Sequence, residues 1–152
     1  MDRLIISDTS CIIALTKINK LDLLKELYQE IFITTEVHKE FGGWLPDWII
    51  ITDVKAKHKQ KELENRLDKG EASSIALALE NDNSTLIIDE IKGRKIAQSF
   101  KIDIIGTIGV IILANKKGLI SDVIGTILQL VNKGFRLSDS LISKIIEKYG
   151  RK

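Results

Sequence analysis

The sequence predicts an α/β fold on a mostly parallel sheet, with helices covering both sheet faces. Two observations carry this prediction. Short apolar runs within residues 3–7, 31–33, 85–89 and 102–104 alternate with longer stretches whose apolar residues recur at helical spacing. Strands that are apolar throughout, rather than on alternate residues, are those buried on both faces, as parallel strands joined by helical crossovers are. A chain of 152 residues is the usual size of one domain, with a radius of gyration of about 15 Å. One sheet and two helical layers fit within it, and we read residues 1–152 as a single domain.

Residues 3–7 form the first expected strand, followed by a helix through Cys11-Ile12-Ile13-Ala14-Leu15. Leu21, Leu24, Leu27 and Tyr28 place a second helix over roughly 20–29. Strand 31–33 leads into a short helix over 35–41 that stops at Gly42-Gly43. Pro46 and Asp47 mark a turn, and Trp48-Ile49-Ile50-Ile51 reads as an edge strand. The charged stretch 55–68, with Leu63 and Leu67 four apart, predicts a surface helix. Gly70 punctuates it before a buried, Ala-rich helix over 71–80. Beyond strand 85–89 come a helix over 91–99, a strand at 102–104, a helix from Gly106 to about Lys116, and amphipathic helices over 120–130 and 141–149.

Composition narrows the function classes. Lys plus Arg number 23 against 21 Asp plus Glu, which disfavours a general coater of nucleic acid and leaves only local basic patches. The apolar run Leu4-Ile5-Ile6 breaks at once into Ser7 and Asp8, so neither a signal peptide nor a membrane span is expected. With Cys11 the only cysteine, an internal disulfide and a cysteine-rich metal site are excluded. A cytoplasmic location is the expectation.

The chemistry-bearing residues are acidic. In an open parallel sheet, sites form at the carboxyl ends of strands. Asp8 ends the first strand and Asp89 the fourth, so two carboxylates from distant parts of the chain reach one rim. Glu40 lies on the helix after strand 31–33, and Glu71 lies in the first turn of the Ala-rich helix, on the face of Ile75, Ala78 and Leu79. Two carboxylates about 5 Å apart repel by roughly 3 kcal/mol at an effective dielectric near 20. Gathering several requires raised pKa values or a bound cation. Oxygen ligands with few His and no Cys cluster point to Mg²⁺ or Mn²⁺, ions suited to phosphodiester hydrolysis. Each residue also has a purely structural reading. Asp8 and Asp89 are N-cap candidates for the helices that follow them, Glu71 suits a helix dipole, and Glu40 suits a surface.

The ordered set of motifs resembles a known family. Leu4-Ile5-Ile6-Ser7-Asp8-Thr9-Ser10 is similar to the first strand and metal-binding aspartate of PIN-domain nucleases, and Val37 through Glu40-Phe41 to their early helix. Gly70-Glu71-Ala72 with Ile75-Ala76-Leu77-Ala78 resembles the third acidic position, and Leu86-Ile87-Ile88-Asp89-Glu90 with Gly93-Arg94 and Ala97 the strand that completes the core. The tail from Gly106-Thr107-Ile108-Gly109-Val110 to Ala114, Lys116 and Gly118-Leu119-Ile120 resembles a prokaryotic subfamily of uncharacterised nucleic-acid-binding proteins related to toxin–antitoxin ribonucleases.

The resemblance implies a three-layer α/β/α sandwich, Mg²⁺ or Mn²⁺ as cofactor, endoribonuclease activity on RNA, a homodimer, and a small antitoxin-like protein as partner. It also implies Asp8, Glu40, Glu71 and Asp89 as catalytic metal ligands, with Asp8 and Asp89 the central pair. Thr9, Ser10 and Thr107 are supporting hydroxyls, Gly106-Thr107 offers a helix-start contact for phosphate or water, and Arg94, Lys92 and Lys95 are substrate-binding candidates. One departure stands out: active relatives often carry another acid a few residues after the Asp89 position, whereas here Glu90 is adjacent and Lys92-Gly93-Arg94 follows. A non-catalytic PIN-like module binding nucleic acid or protein is the alternative.

Among the remaining features, the basic run Lys55, Lys57, His58, Lys59 and Lys61 reads as a phosphate patch or a solvated helix face. His38 and His58 are isolated. Trp44 and Trp48 flank Pro46 and are expected to pack their loop against the core.

Overall fold

A computed structural model describes residues 3–150. Five parallel strands form one sheet in the order β3-β2-β1-β4-β5. They are β1 (Leu4–Ser7), β2 (Ile31–Thr34), β3 (Ile49–Thr52), β4 (Ser84–Ile87) and β5 (Asp103–Ile105). The helices are α1 (Thr9–Lys17), α2 (Asp22–Tyr28), α3 (Thr35–Phe41), α4 (Lys57–Leu63), α5 (Lys69–Leu79), α6 (Ile91–Ser99), α7 (Thr107–Lys116), α8 (Val123–Asn132) and α9 (Asp139–Tyr149).

The period-two geometry of a strand splits each apolar run between two cores. Ile5, Ile31, Ile33, Ile49 and Ile87 face a core completed by α1, α2, α7, α8 and α9, among them Ile12, Leu24, Ile111 and Leu130. Ile6, Leu86 and Ile88 face the other, completed by residues of α4, α5 and α6 such as Leu63, Ile75 and Ala97. The result is the three-layer α/β/α sandwich.

The strand order sets the position of the site. From the central β1 the chain steps out to β2 and β3, crosses back through α4 and α5, and resumes at β4 on the other flank of β1. Progression therefore reverses between β1 and β4, and the crevice at the carboxyl ends of those two strands is where ligands bind in such sheets. Ser7 lies opposite Ile87 in the β1–β4 register, so the residues that follow both strands emerge side by side.

Several boundaries differ from the sequence expectation, each for a local reason. Gly70 lies inside α5 rather than ahead of it, because Asp68 takes the N-cap and its side chain accepts the Glu71 N–H at 2.8 Å. Helix α8 begins at Val123 because Asp122 caps it, and α9 begins at Asp139 because Ser138 does. The surface helix expected over 55–68 is helical only over Lys57–Leu63. Trp48 packs against the core as expected, but Trp44 is 84% exposed; Gly42, at φ +70°, ends α3 in the left-handed conformation and the loop carries Trp44 outward.

Because Ile6 is fully buried in the central strand, Ile6→Ala is expected to cost about 2–5 kcal/mol. Ile51 on the edge strand is 45% exposed, and Ile51→Ala should stay within about 1 kcal/mol. Urea denaturation of the two variants checks both.

Candidate active site

Asp8 follows β1 directly, and its backbone N–H donates to the Ile87 carbonyl at 2.9 Å. It occupies the N-cap position of α1 but makes no side-chain cap bond, so capping does not account for its buried carboxyl. Glu71, in the first turn of α5, is also buried. The elements carrying these groups are tied together by Thr34, which caps α3 through Val37 N–H and shares a 2.7 Å hydrogen bond with Ser73 of α5. That tie sets α3, and with it Glu40, against the start of α5.

The electrostatics follow from this assembly. Burial, with the charges on Glu71, Asp68 and Glu40, pushes the Asp8 carboxyl up to about 8, against a partial offset from the Thr9 N–H. Burial pushes Glu71 to about 7, aided by Asp68, Glu90 and Glu40. Among the described residues, no Lys, Arg or His forms an ion pair with any of the four predicted acids. Asp68 is the member of this group that sequence reading missed; the Asp-x-x-Glu spacing of a capping box, Asp68 to Glu71, was the available signal.

Glu40 and Asp89 are held by hydroxyls. Thr9 Oγ1 donates to Glu40 Oε1 at 2.6 Å. Asp89, two residues beyond β4, accepts from Ser10 Oγ at 2.9 Å, Thr107 Oγ1 at 2.6 Å and Thr107 N–H at 2.7 Å. Two expectations change accordingly. Glu90, not Asp89, is the N-cap of α6. The donors of Thr107 are engaged by Asp89 rather than turned to phosphate. The charges acting on Asp8 are those of Glu71, Asp68 and Glu40, while Asp8 and Asp89 both act on the buried Cys11, whose thiol burial pushes up to about 12.

Three glycines hold close quarters around these carboxylates. A Cβ on Gly70 would collide with the Glu40 carboxylate, one on Gly93 would lie 3.3 Å from Glu71 Oε2, and one on Gly106 would lie 3.0 Å from both Asp89 Oδ1 and Arg94 Nη1. Arg94 donates to the Ile88 carbonyl at 2.8 Å and so braces the end of β4. Lys92 and Lys95 are exposed on α6, as is Glu90 just before it.

A family model described as a PIN domain matches residues 4–151. The chain belongs to the PIN-domain family. No curated protein and no solved structure gives a match. The five-stranded parallel sheet and its two helical layers agree with that membership. Among the described residues, no group of three His, Cys, Asp or Glu side chains is set closely enough to hold a metal as it stands, and no helix is long and apolar enough to cross a membrane. The donor chemistry of this PIN domain nevertheless fits a hard divalent cation: the acids are oxygen donors, two of them are buried, and their pKa values are raised by desolvation and then by like charge, which a cation would offset.

Two outcomes are expected. Asp8 and Glu71 titrate near 8 and 7 when folded, from ordinary values of 3.8 and 4.5, so the folded chain holds more protons than the unfolded chain across that window. Metal-free stability therefore falls as pH rises from about 4 to 8 and levels off above; thermal melts should show it, and Asp8→Asn should flatten the slope and raise Tm at pH 8. Separately, Gly70→Ala displaces the end of the flexible Glu40 side chain rather than backbone. It should leave stability within about 1 kcal/mol of wild type while weakening Mn²⁺ binding measured by calorimetry.

Proposed function

We propose that this PIN domain is a divalent-metal-dependent endoribonuclease, with Asp8, Glu40, Glu71 and Asp89 as the acids that hold Mg²⁺ or Mn²⁺, directly or through water. The observation that carries this reading is the set of mutually repelling carboxylates around buried Asp8, placed at the β1–β4 crevice of a PIN fold. When bound, the ion lowers the pKa of a water and stabilises charge on the leaving oxygen. The chain's own residues prepare that chemistry. Thr9 orients Glu40, and Ser10 and Thr107 hold Asp89 with three donors. The two cores flanking β1 keep Asp8 out of bulk water, whose high dielectric would weaken its electrostatic interactions. Lys92 and Lys95 supply phosphate contacts for the RNA backbone from the exposed start of α6, and Arg94 contributes rigidity through Ile88 as well as charge. A toxin role with a small antitoxin-like protein as inhibitor, and a homodimer, extend the proposal by family resemblance.

A second reading has its own support. Asp89 already has both oxygens occupied by donors, and the acid expected a few residues beyond it is missing, which suits a non-catalytic module that binds nucleic acid or protein. Calorimetric titration with Mn²⁺ separates the two: saturable binding below millimolar favours the nuclease, and none favours the module.

Asp8→Asn and Asp89→Asn are each expected to lower Mn²⁺-dependent cleavage of single-stranded RNA at least about 100-fold, with circular dichroism unchanged. Cleavage at the wild-type rate by both variants rejects the proposed ligand set.

A further inference from the structure

Helix α1 carries Ser10, Ile13, Ala14 and Lys17 at helical spacing on one face. That face is one wall of a cavity of about 210 Å³, whose other wall is the end of α8 and the turn after it, with Lys133 and Phe135. Gly134, at φ +100°, reverses the chain there, and the Phe135 N–H donates back to the Leu130 carbonyl at 2.9 Å. The turn thereby returns Phe135 to the cavity. Ala14 and Leu130 are buried and close the floor. Ile13 and Phe135 are partly exposed, so a ligand can reach their apolar surface. Ile13 packs into neither core.

Three features indicate what fills this space. Its volume suits a single ring system, since about 150 Å³ takes benzene and whole small ligands occupy roughly 300–1,000 Å³. Its lining has two lysines and no carboxylate. Both lysines are exposed, and Lys17 Nζ donates to the Lys133 carbonyl at 3.5 Å, which gathers the positive charge at one end. At the other end Ser10 donates to Asp89 at 2.9 Å, and Ser10 lies about 10 Å from Lys17 along the helix axis. A flat apolar ring on an anionic chain, running from the acidic crevice to the lysines, matches all three. The side-chain donors of the lining are the lysines and Ser10, whose proton is committed to Asp89, so little here reads the edge of a base. Stacking and apolar contact accept any base. An acidic peptide would meet the same lysines, but a nucleotide strand is what the candidate nuclease site already requires beside Asp89.

Resting on the nuclease reading above, we propose that this cavity holds one base of the RNA strand against Ile13 and Phe135, with Lys17 and Lys133 on the adjoining phosphates. The cavity tethers the strand next to the candidate active site and does so without selecting its sequence.

The test is binding of labelled hexauridine to the full chain in EDTA, read by fluorescence anisotropy across a salt series. Lys17→Ala combined with Lys133→Ala should flatten the slope of log affinity against log salt by about 1.4, roughly 0.7 for each lysine. Phe135→Leu keeps apolar contact with the core but removes the ring, and should weaken binding at least about fivefold. Adenosine and cytidine hexamers should bind the wild-type chain within about tenfold of hexauridine. Hexamers carrying 4-thiouridine should photocrosslink to the peptide containing Ile13 or to that containing Phe135. An unchanged salt slope, crosslinks confined to other peptides, or a larger preference for one base overturns the proposal. So does a glutamate-rich peptide that displaces hexauridine and binds more tightly, in favour of a protein partner. Should Phe135→Leu unfold, the two exposed lysines and the crosslinks still decide. Failure of the nuclease reading would look different: salt slope and crosslinks as expected, but no Mn²⁺-dependent cleavage by the wild-type chain.

Discussion

The structure depends on burying two carboxyl groups, Asp8 and Glu71, beside two more that reach water. The exposed Glu40 and Asp68 act on the buried Asp8 and Glu71, and nothing in the chemistry of these acids favours that arrangement. What opposes the repulsion is hydroxyls, helix caps and packing. Thr9 restrains Glu40, Asp68 is engaged in capping α5, and the Thr34–Ser73 bond ties the two helices that carry Glu40 and Glu71. Beneath them, β1 is sealed on both faces by apolar side chains that cannot be rearranged without opening a cavity. The scaffold stores an electrostatic cost that a ligand of opposite charge can release, which is a common economy of binding sites.

Asp89 illustrates a different solution to the same difficulty. It is partly exposed and has three donors on its two oxygens. Those donors come from α1 and α7, so one carboxylate joins the first helix of the chain to the seventh. Its position is thereby fixed with respect to Asp8 through the residues immediately after Asp8, and small shifts at the start of α7 would be felt at the acidic rim.

The architecture was readable from the sequence because its strands are uniform apolar runs and its helices are amphipathic or Ala-rich. The edge placement of β3 and the span of α6 follow from Pro46 and from the polar turns around them. The position of Asp8 and Asp89 just beyond the ends of their strands was equally visible, since it depends only on where an apolar run stops. What escaped notice depends on tertiary contact. Asp68 looks like one more charge in a charged stretch until its carboxylate is seen to cap α5 beside Glu71. Gly70 looks like a helix stop, yet it sits within the helix and leaves space for Glu40. The capture of Thr107 by Asp89 spans 18 residues, a separation at which no local pattern speaks. Gln60, within a charged stretch, gives no sign in the sequence of being buried.

The strand order has a consequence for the timing of biosynthesis. Asp8 follows the middle strand and is made early, but its neighbour β4 is made only after more than half of the chain, and the Thr107 that secures Asp89 only after about two-thirds. A truncated or still-emerging polypeptide therefore lacks one wall of the crevice, whatever the state of its first helices. The acidic crevice is therefore assembled late, once synthesis has passed the start of α7.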